Sequence, residues 1–165
     1  MNNITFIIDS FSRMIVGYSV SKIFFTEGTV ILALEMEVRI RKGVNLAGLI
    51  FHSDVGGQYY SKKFSELTEA LYFRNSMCLY SCENGKAERI NGVIKDNYLK
   101  HRQINSCEEL IKEVDRSVAL YNNEKPHIRL HRMRPAWFEK NFTFAESDFT
   151  APGDVKSDSA GKRVA

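Results

Sequence analysis

The stretch that most limits how this chain can fold is 48–60, Gly-Leu-Ile-Phe-His-Ser-Asp-Val-Gly-Gly-Gln-Tyr-Tyr. The apolar run 49–51 predicts a short buried strand. It stops at His52-Ser53-Asp54, and Gly56-Gly57 then breaks the chain. A carboxylate just past a buried strand is a common place for α/β chemistry, because strand ends open into crevices. Asp54 is therefore the first candidate functional residue. Glu88 is the candidate partner.

The rest of the chain supplies what such a strand needs around it. Residues 4–8 and 14–20 are apolar and β-branched, and 9–13 between them reads as a turn, so the start is a hairpin. Residues 29–42 fit two periods. Leu34, Met36, Val38 and Ile40 alternate with charges as in a strand, while Ile31, Leu34 and Val38 also suit a helix with a Glu35–Arg39 pair. A crossover between 14–20 and a parallel-type strand at 49–51 needs a dozen residues or more, which selects helix. Phe64, Leu67 and Leu71 place a helix over 61–72, and 75–80 is a short strand candidate. A helix over 86–99 turns Ile90, Val93 and Ile94 inward, with Asn84 before it as a possible cap. Ser106 and Glu109 form a capping box ahead of a stripe of Leu110, Val114, Val118 and Tyr121. Pro126 stops that helix, and 127–138 reads as a compact arm. Residues 145–165 are small, polar and aperiodic, and read as a disordered tail after a 1–144 core.

A chain of 165 residues with 44% apolar content suits one domain with a core. Its net charge of +3 does not by itself indicate nucleic acid. Distribution says more: Lys125, Arg129, Arg132 and Arg134 fall within ten residues that contain no acid. Cys78, Cys82 and Cys107 cannot all pair internally and fit buried thiols in a reducing compartment better than a zinc site. No span reaches 18 apolar residues and no basic n-region opens the chain, so the expected location is cytoplasmic, away from membranes.

Asp54 and Glu88 come from separate elements, and two such carboxylates can converge on a divalent metal. Two-metal phosphoryl transfer usually needs a third acid. The alternative is that both are ordinary surface acids. His52 can orient a neighbour or be purely structural. Gly56-Gly57 would let a phosphate backbone approach. Gln58, Lys86 and Arg89 flank the two acids and, with the basic residues of 125–134, are candidates for DNA contacts. Solvated surface charge is the competing reading. No Walker or dinucleotide glycine pattern is present.

Four stretches together resemble a known family, the catalytic domain of bacterial insertion-sequence transposases of the retroviral-integrase type. They are 8–18 (IDSFSRMIVGY), 51–59 (FHSDVGGQY), 83–88 (ENGKAE) and 121–130 (YNNEKPHIRL) followed by Pro135. The resemblance covers roughly residues 4–142. It implies an RNase H-like mixed α/β sheet with flanking helices. It implies an Asp-Asp-Glu triad that uses Mg²⁺ or Mn²⁺ to nick DNA and join its 3′ ends to a target. It makes Asp54 the second acid and Glu88 the third, as metal ligands and catalytic residues, and it also implies a helix at 29–42.

The first acid of that family lies on a central strand that precedes the hairpin. Asp9 instead matches a noncatalytic Asp. The resemblance thus implies a core without its first, central strand, truncated at the N-terminus, in which catalysis by this chain is not expected. Its partners would be DNA and either a second copy or a full-length transposase. The alternative functions are a noncatalytic DNA- or transposase-binding remnant and an RNase H-like nuclease. The nuclease would need a third acid near Asp54 and Glu88.

Overall fold

The computed structural model describes residues 3–21, 27–54, 56–78 and 84–142. The proposed tail at 145–165, Cys82 and the end of the 75–80 strand candidate lie outside them. Strand β1 (Asn3–Ile8) pairs antiparallel with β2 (Ile15–Ser21), with Phe6 opposite Tyr18 and a register shift at Ile7/Ile8. The turn between them closes through Asp9, whose Oδ1 accepts from Phe11 N–H and Ser12 N–H, both at 2.8 Å.

Helix α1 (Glu27–Ile40) follows, as the crossover length required and against the strand-like alternation. It packs on β2 so closely that the two backbones meet at Gly17. A Cβ there would lie 2.0 Å from the Ala33 carbonyl oxygen, so only glycine allows the approach.

Strand β3 (Ile50–Ser53) and β4 (Arg74–Met77) form a parallel pair, joined through a 3₁₀ turn (Gly57–Tyr60) and α2 (Lys62–Ala70). Ser61 caps α2 by accepting from Phe64 N–H at 3.2 Å. The expectation of a buried strand at 49–51 needs correction. The strand starts and ends later and is covered on one face: Phe51 and Ser53 are buried while Ile50 is 65% exposed. Among the described residues the strands make two separate two-stranded sheets, and β1 shares no ladder with β3.

Helix α3 (Gly85–Ile94) continues into a single π turn at Lys95–Leu99, where an unbroken α-helix to Leu99 had been expected. Asn84 precedes α3 without capping it through its side chain. Helix α4 (Cys107–Asn123) starts at the Ser106 cap, whose Oγ accepts from Glu109 N–H. The return bond of the box shifts by one residue, because Glu109 Oε2 accepts from Asn105 N–H at 2.7 Å. The arm contains a helix that the sequence reading omitted, α5 (Pro135–Phe142), with Pro135 at its first position.

Two cores result. Ile15, Ile90, Ile94, Leu99, Leu110, Val114, Val118 and Tyr121 fill the space between the hairpin, α3 and α4, with Ile4, Phe6 and Ile8 of β1 packed against them. On the other face Val30 and Leu34 of α1 pack with Phe51, Phe64 and Phe73, and Ile7 reaches this second core from β1. The fold is therefore mixed α/β, with antiparallel and parallel strands flanked by helices.

Candidate functional site

Asp54 is the first residue beyond β3, and Glu88 lies in the first turn of α3. Both are exposed. Asp54 is set in place by backbone bonds on either side. Ser53 O accepts from Cys78 N–H at 3.0 Å and from the buried Cys78 thiol at 3.2 Å, and Asp54 O accepts from Gly56 N–H at 2.9 Å. Cys78 thus anchors the strand end as a buried thiol. His52 belongs to the strand and its Nδ1 lies 3.1 Å from Ser76 Oγ on β4, so it is tied to its neighbouring strand and faces away from Ser53. Glu88 is presented by α3 because Ile90 and Ile94 anchor that helix in the hairpin-side core.

Asp9 has a structural role. Besides closing the turn, its Oδ2 accepts from Arg41 Nη2 at 2.5 Å, and the same guanidinium reaches Glu139 at 2.7 Å and Glu37 at 3.3 Å. One arginine at the end of α1 thereby ties the hairpin turn to α5. Burial pushes the Glu37 carboxyl up to about 7, opposed by Arg41 and reinforced by Asp9 and Glu139. Burial also acts to raise Asp9, but hydrogen bonds from Arg41, Ser12 and Phe11 outweigh it and leave its carboxyl below the ordinary value.

The basic candidates divide. Lys86 Nζ donates to Ser10 Oγ, which joins the start of α3 to the hairpin turn. Arg134 Nη1 donates to Asn123 O at 3.3 Å, so it caps the end of α4 and serves the fold. Arg89, Arg129 and Arg132 are exposed, and Lys125 is half-buried. Gln58 belongs to the 3₁₀ turn after Asp54. Hard carboxylate oxygens suit Mg²⁺ or Mn²⁺. Among the described residues, no group of three or more His, Cys, Asp or Glu side chains is gathered as a metal cluster. Asp54 and Glu88 therefore belong to no such group among the described residues.

Sequence reasoning missed one functional-looking feature, a joint built on Asn122. Its Oδ1 accepts from Ile15 N–H at 3.0 Å and its Nδ2 donates to Ile15 O at 2.9 Å. Only its place in the 121–130 stretch singled it out.

Residues 80–135, which span Glu88 and all of α4, match the integrase core domain family. A transposase for insertion sequence element IS629 from Shigella sonnei is 34% identical over 142 residues, covering 84% of this chain and 46% of that protein. The chain belongs to the integrase-core family. It is of the retroviral-integrase type and related to the bacterial insertion-element transposases. A 31 kDa protein of insertion element IS600, also from Shigella sonnei, is 31% identical over 99 residues, covering 58% of this chain and 36% of that protein. The chain thus spans less than half of these relatives.

The fold is shared with the HTLV-2 integrase catalytic core domain solved in complex with magnesium. That match has a TM-score of 0.61 at 17% identity and covers 82% of this chain and 91% of that one. The BIV integrase catalytic core gives a TM-score of 0.59 at 17% identity, with 82% and 83% covered. This is the RNase H-like core that the resemblance implied. No described helix is long and apolar enough to cross a membrane.

Proposed function

We propose that this chain is the catalytic-core portion of a DNA transposase, that Asp54 and Glu88 are two of its acidic metal ligands, and that the 165-residue chain binds DNA without joining strands by itself. The observation that carries this reading is the placement of the two acids, one at the C-terminal end of β3 and one in the first turn of α3, within an integrase-type core. Both carboxylates are exposed and can receive a metal and a DNA phosphate together. Mg²⁺ or Mn²⁺ at such a pair would supply charge stabilisation to the phosphoryl oxygens. The exposed Arg129 and Arg132 then meet phosphates and hold DNA in register, as basic side chains do without reading sequence. A second copy or a longer transposase supplies the remaining parts of the assembly.

Two readings compete with catalysis in an assembly. A noncatalytic DNA- or transposase-binding role needs only the basic arm. A self-sufficient RNase H-like nuclease needs a third acid beside the pair, and among the described residues no three-ligand group supports it. The test is strand transfer and metal-dependent nicking on DNA. The 165-residue chain should bind DNA with a marked salt dependence and leave it uncut. In a longer polypeptide that carries these residues, Asp54→Asn and Glu88→Gln should each lower strand transfer by about 10²-fold or more, with DNA affinity nearly unchanged. Retained strand transfer in either variant would remove that residue from the ligand set.

A further inference from the structure

Four aromatic rings form a continuous row across the hairpin turn and α5. Phe11 of the turn lies 5.2 Å from Phe138, Phe138 stacks on Phe142 at 4.8 Å, and Phe142 meets Trp137 at 6.1 Å, all between ring centroids. Helix α5 brings its three rings together by its own period, because Phe138 and Phe142 are one turn apart and Trp137 adjoins them. The row belongs to neither of the two cores. Three of its members face solvent: Phe11 is 50% exposed, Trp137 44% and Phe142 47%. Phe138 is half-buried between them. Trp137 meets Phe142 at 63°, edge to face, so it does not give up a ring face to parallel stacking there.

The charge around the row has one sign. Lys86 donates to Ser10, the neighbour of Phe11, so an ammonium stands at the first ring. Arg134 precedes α5, and its carbonyl accepts from Phe138 N–H at 2.9 Å. Lys140 follows Trp137 by three residues on the same side of the helix. All three cations are exposed. The acids of the same segments are drawn inward, since Asp9 of the turn and Glu139 of α5 both meet Arg41. Solvent therefore sees rings between cations. The exposed apolar groups of α1 and α4 are aliphatic, at Leu32, Ile40 and Ile111, whereas those of α5 are aromatic. Ring faces stack on any nucleobase, and cations beside them meet the intervening phosphates, which holds a single strand without reading its sequence. In a duplex the base faces are already stacked on one another, so an unpaired strand is the form that can use the rings. Lys86 also lies two residues before Glu88, so the row starts beside the acid proposed as a metal ligand and continues along α5.

We infer that Phe11, Trp137 and Phe142 form a stacking platform for an unpaired DNA strand. That such a strand reaches the protein rests on the DNA reading above; the affinity of the platform for unpaired bases does not.

Trp137 is the only tryptophan of the chain, so its fluorescence reports directly on the platform. The probes are an oligothymidylate of about ten nucleotides and a duplex of the same length, each added to the full chain in metal-free buffer. The single strand should quench Trp137 and lose affinity as salt rises, while the duplex should leave the emission unchanged. Trp137→Ala and Phe142→Ala, followed by the anisotropy of labelled DNA, should each weaken the single strand about tenfold and the duplex less than about twofold. Trp137→Tyr keeps a ring and should keep most of the single-strand affinity. Wild-type single-strand affinity in both alanine variants, or a bound strand that leaves Trp137 emission unchanged, would overturn the platform; duplex binding would then stand alone in support of the proposed function. A Trp137 response to the single strand without any duplex binding would keep the platform and remove the duplex from the DNA reading. No response to either DNA, with the emission changing instead as protein concentration rises, would overturn the platform in favour of a contact between copies of the chain.

Discussion

On the hairpin side, β1 and β2 pair over six positions, and α4 is joined to them by the double Asn122–Ile15 hydrogen bond across 107 residues of sequence. On the other side, β3 and β4 pair over four positions, and the strands leave Ile50 and Met77 in contact with solvent. The two sheets share no ladder among the described residues. They are joined by α1, which touches β2 at Gly17 and packs Val30 and Leu34 with Phe51, Phe64 and Phe73, and by Ile7 of β1, which packs against the same core. Asp54 belongs to the second half. Glu88 belongs to the first, through Ile90 and Ile94. The geometry of the acidic pair is thus set by how α1 docks, and by no direct strand pairing between the halves.

The largest test of this comparison strikes the docking point. Gly17→Ala would drive a methyl group to within 2.0 Å of the Ala33 carbonyl oxygen and 2.9 Å of its carbon, both rigid backbone. Neither β2 nor α1 can yield without breaking its own bonds. The expected loss is about 4 kcal/mol or more, read as loss of a cooperative denaturation transition. Gly92→Ala is the control. A Cβ there meets nothing within 4 Å, so helix propensity should raise stability by up to about 1 kcal/mol. A mild Gly17→Ala would mean that α1 does not bridge the halves as described.

Local chemistry was legible in the sequence and long-range chemistry was not. The Ser106 and Ser61 caps, the α4 stripe and the hairpin turn depend on residues a few positions apart, and each was recoverable from spacing or turn chemistry except the Ser61 cap itself. Residues 29–42 carried both periods. Chain-crossing length, and then resemblance, selected the helix that forms. Of the partners of Arg41 only Glu37 is a local i,i+4 neighbour; Asp9 and Glu139 lie 32 and 98 positions away, so no local pattern could announce the whole cluster. Arg134 looked like part of a basic arm because its partner, the Asn123 carbonyl, is a helix end, invisible as a side-chain signal. Asp54 and Glu88 were placed on their elements by strand end and helix start. The chemical role proposed for them comes from resemblance, because two exposed acids carry no physical signature of a metal site.

A smaller effect comes from the charges under α1. Glu37 is 2% exposed, and its carboxyl is raised in the fold to about 7 from 4.5. A raised carboxyl favours the protonated folded state. Its contribution is therefore fully present below about pH 4.5 and is lost as pH rises toward 7. Asp9 acts in the opposite sense, because its lowered carboxyl contributes above 3.8 and loses that contribution as pH falls below it. Urea midpoints measured across pH should show Glu37→Gln removing roughly 2–3 kcal/mol of decline between pH 4.5 and 7, while the acid-side loss remains. Persistence of the full decline in the variant would assign it to other groups. The result also bears on the comparison, because this cluster ties the hairpin turn to the end of α1 and to α5.

The smallest expected effect is at Ile50, on the exposed face of β3. Its neighbour Phe51 is 8% exposed and part of the α1-side core, whereas Ile50 is 65% exposed and stands opposite Arg74. If solvent covers that face, Ile50→Thr keeps the β-branch and removes little buried area, and the change should stay within about 0.5 kcal/mol. If another chain covers it in solution, the same substitution removes apolar burial. The loss should then exceed about 1.5 kcal/mol and depend on protein concentration. Denaturation of Ile50→Thr at two protein concentrations a hundredfold apart separates the cases. A small, concentration-independent change would leave α1 as the connection that matters between the halves. A large, concentration-dependent one would mean that the β3 side is completed by a second polypeptide, and that the weaker half of the comparison is weak only when the chain is alone.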